Sequence, residues 1–335
     1  MIRQGQTVLI TGADGFIGSH LTEHLVRHGA NVTALSMYNS FDSNGWLDDL
    51  PDDIRKSTRV VRGDIRDSAF VSNLCKGQNV VLHLAALIGI PYSFQAPQSY
   101  VDVNICGTLN VLNGTRDNHV ERVVVTSTSE VYGTALTVPI SESHPYQAQS
   151  PYSASKISAD MMAESFKRSF DLPVVILRPF NTFGPRQSER AILPTVIRQA
   201  LDSRCPEIRV GSVSPKRDLT FVRDTADAFL RAGWSEGLEY GTPYNVGSGK
   251  TISVGELIDK IQSLAGTNKP VISEDARIRP KGSEVEVLLA DPQRFVTATG
   301  WSAEIGLNAG LQETIDWWSA RLKSGLVRAS ASYMV

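Results

Sequence analysis

Cysteine is scarce. Cys75, Cys106 and Cys205 stand singly in 335 residues, with no spacing suited to a metal cluster or a redox pair. A disulfide scaffold and a thiolate metal site are excluded as organising devices, no metal is expected, and the three read as reduced thiols. An excess of one charge sign is also missing: 33 Lys and Arg against 35 Asp and Glu give a formal net charge of −2. No global basic field therefore recruits nucleic acid or an anionic membrane, and any phosphate binding must be local. Apolar runs fall short of the roughly 20 residues a membrane span needs. The start, Met1-Ile2-Arg3-Gln4-Gly5, enters its first strand without a signal-peptide core, so a cytoplasmic location is expected. Repeats and low-complexity tracts are absent too. What remains, 41% hydrophobic and 20% charged residues, is ordinary for a soluble globular chain long enough for a large core and two lobes.

In the first half, apolar strand-like runs at 7–11, 31–35, 59–62, 79–85, 122–126 and 173–177 alternate with helical periodicity near 16–28, 67–76, 98–118 and 152–169. That alternation predicts an α/β fold with a doubly wound parallel sheet. Beyond Asn181 the pattern turns irregular, with Pro185, Pro194, Pro206 and Pro215, before helices near 253–265 and 309–322. We read this part as a smaller lobe interleaved with returns to the sheet, and the tail from Ala329 as loosely held.

Two motifs carry chemistry. After the first strand comes Gly12-Ala13-Asp14-Gly15-Phe16-Ile17-Gly18 and then an amphipathic run. Strand, glycine turn and helix together offer free N–H groups and the positive end of a helix dipole to a pyrophosphate, which makes a dinucleotide site. The second motif is Ser127-Thr128-Ser129-Glu130, followed by Tyr152 and Lys156. A Tyr and a Lys four residues apart share one helix face, so the ammonium can lower the phenol pKa while the phenolate takes a hydroxyl proton. The Thr128 hydroxyl can bond the same substrate oxygen. Glu130 adds a carboxylate that simple alcohol oxidation does not need, which implies a second proton transfer. His20-Leu21-Thr22-Glu23-His24 spells a metalloprotease pattern, but it follows the glycine loop directly and reads as a solvated polar helix face.

With these motifs the chain resembles the extended short-chain dehydrogenase/reductases that modify nucleotide sugars, over nearly its whole length. Further matching segments are Gly63-Asp64-Ile65, His83-Leu84-Ala85-Ala86, Arg178-Pro179-Phe180-Asn181, Arg217-Asp218-Leu219 and Tyr244-Asn245-Val246-Gly247. Thr128-Ser129-Glu130 is similar to the triplet of sugar-nucleotide 4,6-dehydratases. Arg279-Pro280 with Ser283-Glu284-Val285 looks most like dehydratases of legionaminic-acid-type pathways. The resemblance implies a Rossmann domain over 1–178 and about 219–248, a nucleotide-sugar lobe over about 179–218 and 249–325, and a tail at 326–335. It implies catalytic roles for Thr128, Ser129, Glu130, Tyr152 and Lys156. A cofactor would meet Gly12, Gly15, Phe16, Ile17, Gly18, Asp64, Ile65, Leu84, Ala85, Ala86, Thr126, Tyr152 and Lys156, with Asp64 at the adenine. A nucleotide-diphosphate sugar, with N-acetylglucosamine favoured, would meet Ser93, Asn181, Arg190, Ala191, Arg217 and Arg279. The partner otherwise implied is a second copy, through the helices at 98–118 and 152–169.

An acid near the end of the second strand marks NAD and an arginine marks NADP. Leu35-Ser36-Met37-Tyr38-Asn39-Ser40 offers neither. Without a cation for a 2′-phosphate NAD is expected, NADP being the alternative. Ser129 stands where glucose-nucleotide dehydratases carry the aspartate that protonates the leaving hydroxyl, and a serine pKa is far too high for that work. Three other readings stay open. A UDP-glucuronate decarboxylase shares the Thr-Ser-Glu triplet, a 4-epimerase usually has a small residue at the Glu130 position, and a non-catalytic dinucleotide sensor would typically lose Tyr152 or Lys156.

Overall fold

The computed structural model describes residues 2, 5–274 and 285–327. Short β-branched runs flanked by helices fold as the core of a layered sheet, because strands buried on both faces need helices above and below. The strands β1 (Thr7–Thr11), β2 (Asn31–Met37), β3 (Thr58–Gly63), β4 (Val80–His83), β5 (Arg122–Thr126) and β6 (Val174–Pro179) follow in sequence. Between them run α1 (Phe16–Arg27), α2 (Asp52–Lys56), α3 (Ser68–Cys75), α4 (Ile90–Gln95), α5 (Pro97–Tyr100), α6 (Gly107–Asp117) and α7 (Pro151–Phe170).

The second half supplies β7 (Asn181–Phe183), α8 (Ile192–Leu201), β8 (Ile208–Val210), β9 (Lys216–Phe221), α9 (Val222–Trp234) and β10 (Pro243–Val246). It ends with β11 (Thr251–Ser253), α10 (Val254–Ala265), β12 (Val271–Ser273), β13 (Val287–Leu288), α11 (Gln293–Thr299) and α12 (Leu307–Lys323). A seven-stranded sheet has the order β10-β6-β5-β4-β1-β2-β3 with parallel pairing throughout. It is the doubly wound sheet expected. Strand order reverses between β1 and β4, and in such sheets ligands bind outside the carboxyl ends of the strands at that point.

Val8, Ile10 and Val124 pack on one face with Leu25, Ala226 and Phe229, while Leu9, Val81 and Val123 pack on the other with Val111, Leu112 and Phe166. A separate core joins Phe183, Leu193, Ile197, Phe221, Leu257 and Trp318 around a small sheet, β11-β9-β13 with β7 on β9, and the pair β12-β8. Among the described residues, no helix is long and apolar enough to cross a membrane.

Three local readings change. The expected helix at 98–118 is interrupted by a π-helical turn over Val101–Cys106, a feature often found at functional sites. Strand β4 ends at His83; Leu84 N still donates to Thr11 O at 3.1 Å, and the Thr11 hydroxyl accepts from Leu84 N and Ala85 N, both at 3.1 Å. Helices α8 and α9 stand where prolines suggested irregularity. Pro194 sits in the first turn of α8, where its missing N–H has no intrahelical acceptor to lose. The expected loose tail lies outside the described residues.

Candidate active site

The glycine loop is shaped by close approach. Gly12 has φ +69°, and a Cβ there would lie 2.7 Å from Ala85 N. A Cβ on Gly18 would lie 2.1 Å from the Gly12 carbonyl oxygen. The loop therefore holds α1 tight against the β1 and β4 ends, and no side chain caps that helix at Gly15. Its first-turn amides, those of Phe16, Ile17 and Gly18, have no partner within the helix. A cradle closed to side chains, with free N–H groups and the positive helix end at the switch point, fits a dinucleotide pyrophosphate.

Behind the cradle His83 is sealed into a relay. Thr108 Oγ1 donates to Asn104 O at 2.6 Å, so it accepts from His83 Nε2 at 3.0 Å. His83 Nδ1 must then accept from Thr11 Oγ1 at 2.7 Å. Burial, with the Lys156 charge adding to it, lowers the His83 pKa to about 3. The histidine is a neutral strut between β1 and α6.

The chemical residues come from β5, the turn after it, and α7. Ser150 caps α7 by accepting from Ser153 N at 3.1 Å, and Pro151 starts the helix. This sets Tyr152, Lys156 and Asp160 at successive turns of one face, all buried. Lys156 Nζ donates to Thr126 O at 2.5 Å. Burial lowers its pKa to about 8, with Asp160 opposing. The Thr126 hydroxyl is buried with no hydrogen-bond partner among the described residues, an acceptor and donor left for a ligand beside the lysine.

Thr128 caps the turn Ser129–Tyr132, accepting from Glu130 N at 3.2 Å. Ser129 is buried. The Tyr152 phenol departs from expectation. Burial pushes it above its ordinary range, the Thr128 hydrogen bond works against that, and the charges of Glu130 and Asp160 add to the rise. The protein alone thus holds Tyr152 as a neutral phenol, because desolvation outweighs the one hydrogen bond that favours its ionised form.

Asp160 forms a fully buried ion pair with Arg178 at 2.9 Å and accepts from Ser127 Oγ at 2.8 Å. Arg178 donates to Tyr132 OH at 2.7 Å and to Tyr146 OH. Tyr132 OH donates in turn to Asn245 Oδ1 at 2.7 Å on the sheet edge. Sequence reasoning missed Asp160, although its spacing from Lys156 was legible as helix periodicity. It also missed Asn104, whose amide nitrogen donates to Leu87 O and Ser155 Oγ, each at 2.9 Å, tying the loop after β4 to α7. Tyr100 was missed as well. Its ring meets that of Tyr152 edge-on at 6.2 Å.

The remaining expected residues scatter. Asp64 turns its carboxylate to Arg66, accepting from Nη2 at 2.5 Å and from the backbone N at 2.9 Å. Ile65 is core packing against Gly107. Leu84, Ala85 and Ala86 form the partly buried loop at the end of β4. Ser93 is fully buried and donates to Ile90 O at 2.7 Å. Arg190 is exposed, and its charge pulls down the Tyr100 phenol that burial and Tyr92 push up. Ala191 caps α8. Asn181 donates to Asp218 O at 3.4 Å, and Arg217 next to Asp218 donates to Val285 O at 2.7 Å. These two therefore share the small sheet. Arg279, with Pro280, Ser283 and Glu284, lies outside the described residues. His20 is not solvated as expected. Its Nε2 meets Pro185 O at 2.9 Å, and burial lowers its pKa to about 4.

A family model for GDP-mannose 4,6 dehydratase matches residues 9–314. The low-salt glycan biosynthesis protein Agl12 of Haloferax volcanii is 30% identical, over 93% of this chain and 98% of that protein. DesIV, a dTDP-glucose 4,6-dehydratase from Streptomyces venezuelae whose structure has NAD bound, superposes with a TM-score of 0.84 at 27% identity, covering 96% of this chain and 98% of that one. A UDP-N-acetylglucosamine 4-epimerase from Methanobrevibacter ruminantium superposes equally well, 0.84, at 29% identity over 95% of this chain and all of that one. The chain belongs to the GDP-mannose 4,6 dehydratase family, within the extended short-chain dehydrogenase/reductases that act as nucleotide-sugar dehydratases and epimerases.

Proposed function

We propose that this protein is an NAD-dependent nucleotide-sugar 4,6-dehydratase acting on UDP- or GDP-N-acetylglucosamine. The observation that carries the reading is Glu130, set in the turn capped by Thr128, whose Oγ1 accepts from Glu130 N at 3.2 Å, with a carboxylate whose charge adds to the rise of the Tyr152 phenol. A 4-epimerase has no use for a second proton acceptor there, whereas dehydration requires one at C5.

Gly12, Gly15, Phe16, Ile17 and Gly18 would hold the pyrophosphate. Thr126, Tyr152 and Lys156 would lie along the nicotinamide ribose. When bound, NAD supplies reversible hydride acceptance, which takes C4 of the sugar to the ketone and later reduces C6. As the phenolate, which the positive charges of Lys156 and a bound nicotinamide would favour over the neutral phenol held by the protein alone, Tyr152 takes the 4-hydroxyl proton while Thr128 orients the same oxygen. The new carbonyl acidifies C5–H, and Glu130 removes that proton. Ser129 cannot protonate the leaving 6-hydroxyl, so Glu130 returns its proton there, directly or through a water relay, and water departs; as the hydride comes back to C6, C5 takes up a proton from solvent by way of Glu130. The reaction is redox-neutral with loss of one water.

Arg190 and Ala191 on one side, and Asn181 and Arg217 on the other, are the groups proposed to meet the nucleotide diphosphate, guanidinium groups suiting phosphate through paired donors. Exposed Val101 and Met161, on the two helical segments expected to pair, support a homodimer, which a monomeric mass in solution at micromolar concentration would contradict. Incubation with UDP-, GDP- and dTDP-sugars, with products followed by mass, tests the reading. A product one water lighter than its substrate is expected, an isobaric product would show an epimerase, and loss of carbon dioxide would show a decarboxylase.

A further inference from the structure

We propose that Asp14, inside the glycine loop, is the acid that selects NAD over NADP. The inference rests on the NAD reading above. In dinucleotide-binding sheets the adenosine ribose is read at the carboxyl end of the second strand, by an acid for the ribose hydroxyls or an arginine for a 2′-phosphate. Here that strand ends in Ser36-Met37 and continues as Tyr38-Asn39-Ser40, without an acid or base of its own.

The carboxylate arrives from another element. Asp14 Oδ2 accepts from Ser36 Oγ at 3.3 Å and from Met37 N at 3.0 Å. Both bonds fall on Oδ2, so Oδ1 keeps its lone pairs for a donor such as a ribose hydroxyl. The backbone around Asp14 is fixed on both sides. Ala13 N donates to Leu35 O at 3.1 Å, and Trp46 N donates to Asp14 O at 3.0 Å. Gly45 crosses so near that a Cβ there would lie 2.6 Å from Asp14 O. The carboxylate is pinned at the strand end and cannot swing clear of a ligand.

Arg62, paired with Ser36 across the β2–β3 ladder, is a cation on the same rim. It is already engaged by the Asp42 carboxylate and by Asn44 Oδ1, the latter at 2.8 Å. A 2′-phosphate entering here meets a fixed carboxylate and an arginine with its own counter-ion, whereas a ribose diol gains a charge-assisted hydrogen bond.

Calorimetric titration of the full chain with NAD and with NADP, for the wild type, Asp14→Asn and Asp14→Ser, tests this. Asparagine keeps an acceptor for Met37 N, so the loop stays pinned, and a thermal melt verifies folding. Should it fold poorly, the serine variant removes the same charge. The wild type is expected to bind NAD more tightly, and the uncharged variants to lose at least about tenfold in the NAD-to-NADP affinity ratio, which is about 1.4 kcal/mol. An unchanged ratio in a folded variant, or a wild type that prefers NADP, would overturn the proposal. A wild type that binds neither dinucleotide would overturn the NAD reading beneath it, and this inference with it.

Discussion

The Lys156 ammonium donates to the Thr126 carbonyl oxygen at 2.5 Å, joining the catalytic face of α7 to the strand end from which Thr128 and Glu130 emerge. That bond sets the lysine while leaving its remaining N–H groups free to point elsewhere. Tyr152, one turn earlier and buried against Tyr100 and Thr128, is then held in a site whose donors and acceptors are already in place.

Replacing Tyr152 with Phe should lower kcat by about 10²–10⁴-fold, the contribution of a positioned acid/base. Cofactor affinity should stay nearly unchanged, since the phenyl ring still fills the buried space. Steady-state kinetics alongside dinucleotide titration checks this, and activity above about a tenth of wild type would exclude Tyr152 as the base.

The Lys156 pKa of about 8 gives a pH dependence. If the ammonium is the active form, kcat/KM should fall as pH rises through about 8. Asp160→Asn removes the negative charge that supports the ammonium, so the alkaline limb should move to lower pH. The same substitution leaves Arg178 buried without its counter-charge and should cost about 3–5 kcal/mol in denaturant unfolding. A purely structural role for Asp160 would show the stability loss with an unmoved pH limb.

Gly12→Ala places a methyl 2.7 Å from Ala85 N at a residue with φ +69°. The left-handed backbone alone costs about 1–2 kcal/mol, and relief of the clash must move α1 away from the loop after β4. Dinucleotide binding should weaken by more than tenfold in calorimetry, while a variant that binds as the wild type does would refute the cradle.

Much of this was legible in the chain. Alternating strand and helix periodicity gave the parallel sheet, and the glycine motif follows β1 beside the point where strand order reverses, while the Tyr/Lys pair lies in the first turns of α7. What periodicity could not give was contact between distant segments. Asp14 reaching Met37 and Asp160 reaching Arg178 are tertiary facts with no local signature. Prolines misled for a different reason: Pro194 reads as a breaker, yet in a first helical turn it breaks nothing. Spacing also reports neighbours and not desolvation, which in the protein alone is the larger influence on the Tyr152 phenol.

The central claim is that Glu130 moves a C5 proton during loss of water, and conversion of the nucleotide-sugar substrate in heavy water tests it most directly. Wild-type enzyme should yield a 4-keto-6-deoxy product lighter by one water before label is counted, with solvent deuterium at C5. Glu130→Gln should slow its formation by about 10²–10⁴-fold. Substrate converted without loss of mass, or a dehydrated product with no deuterium at C5, would contradict the account.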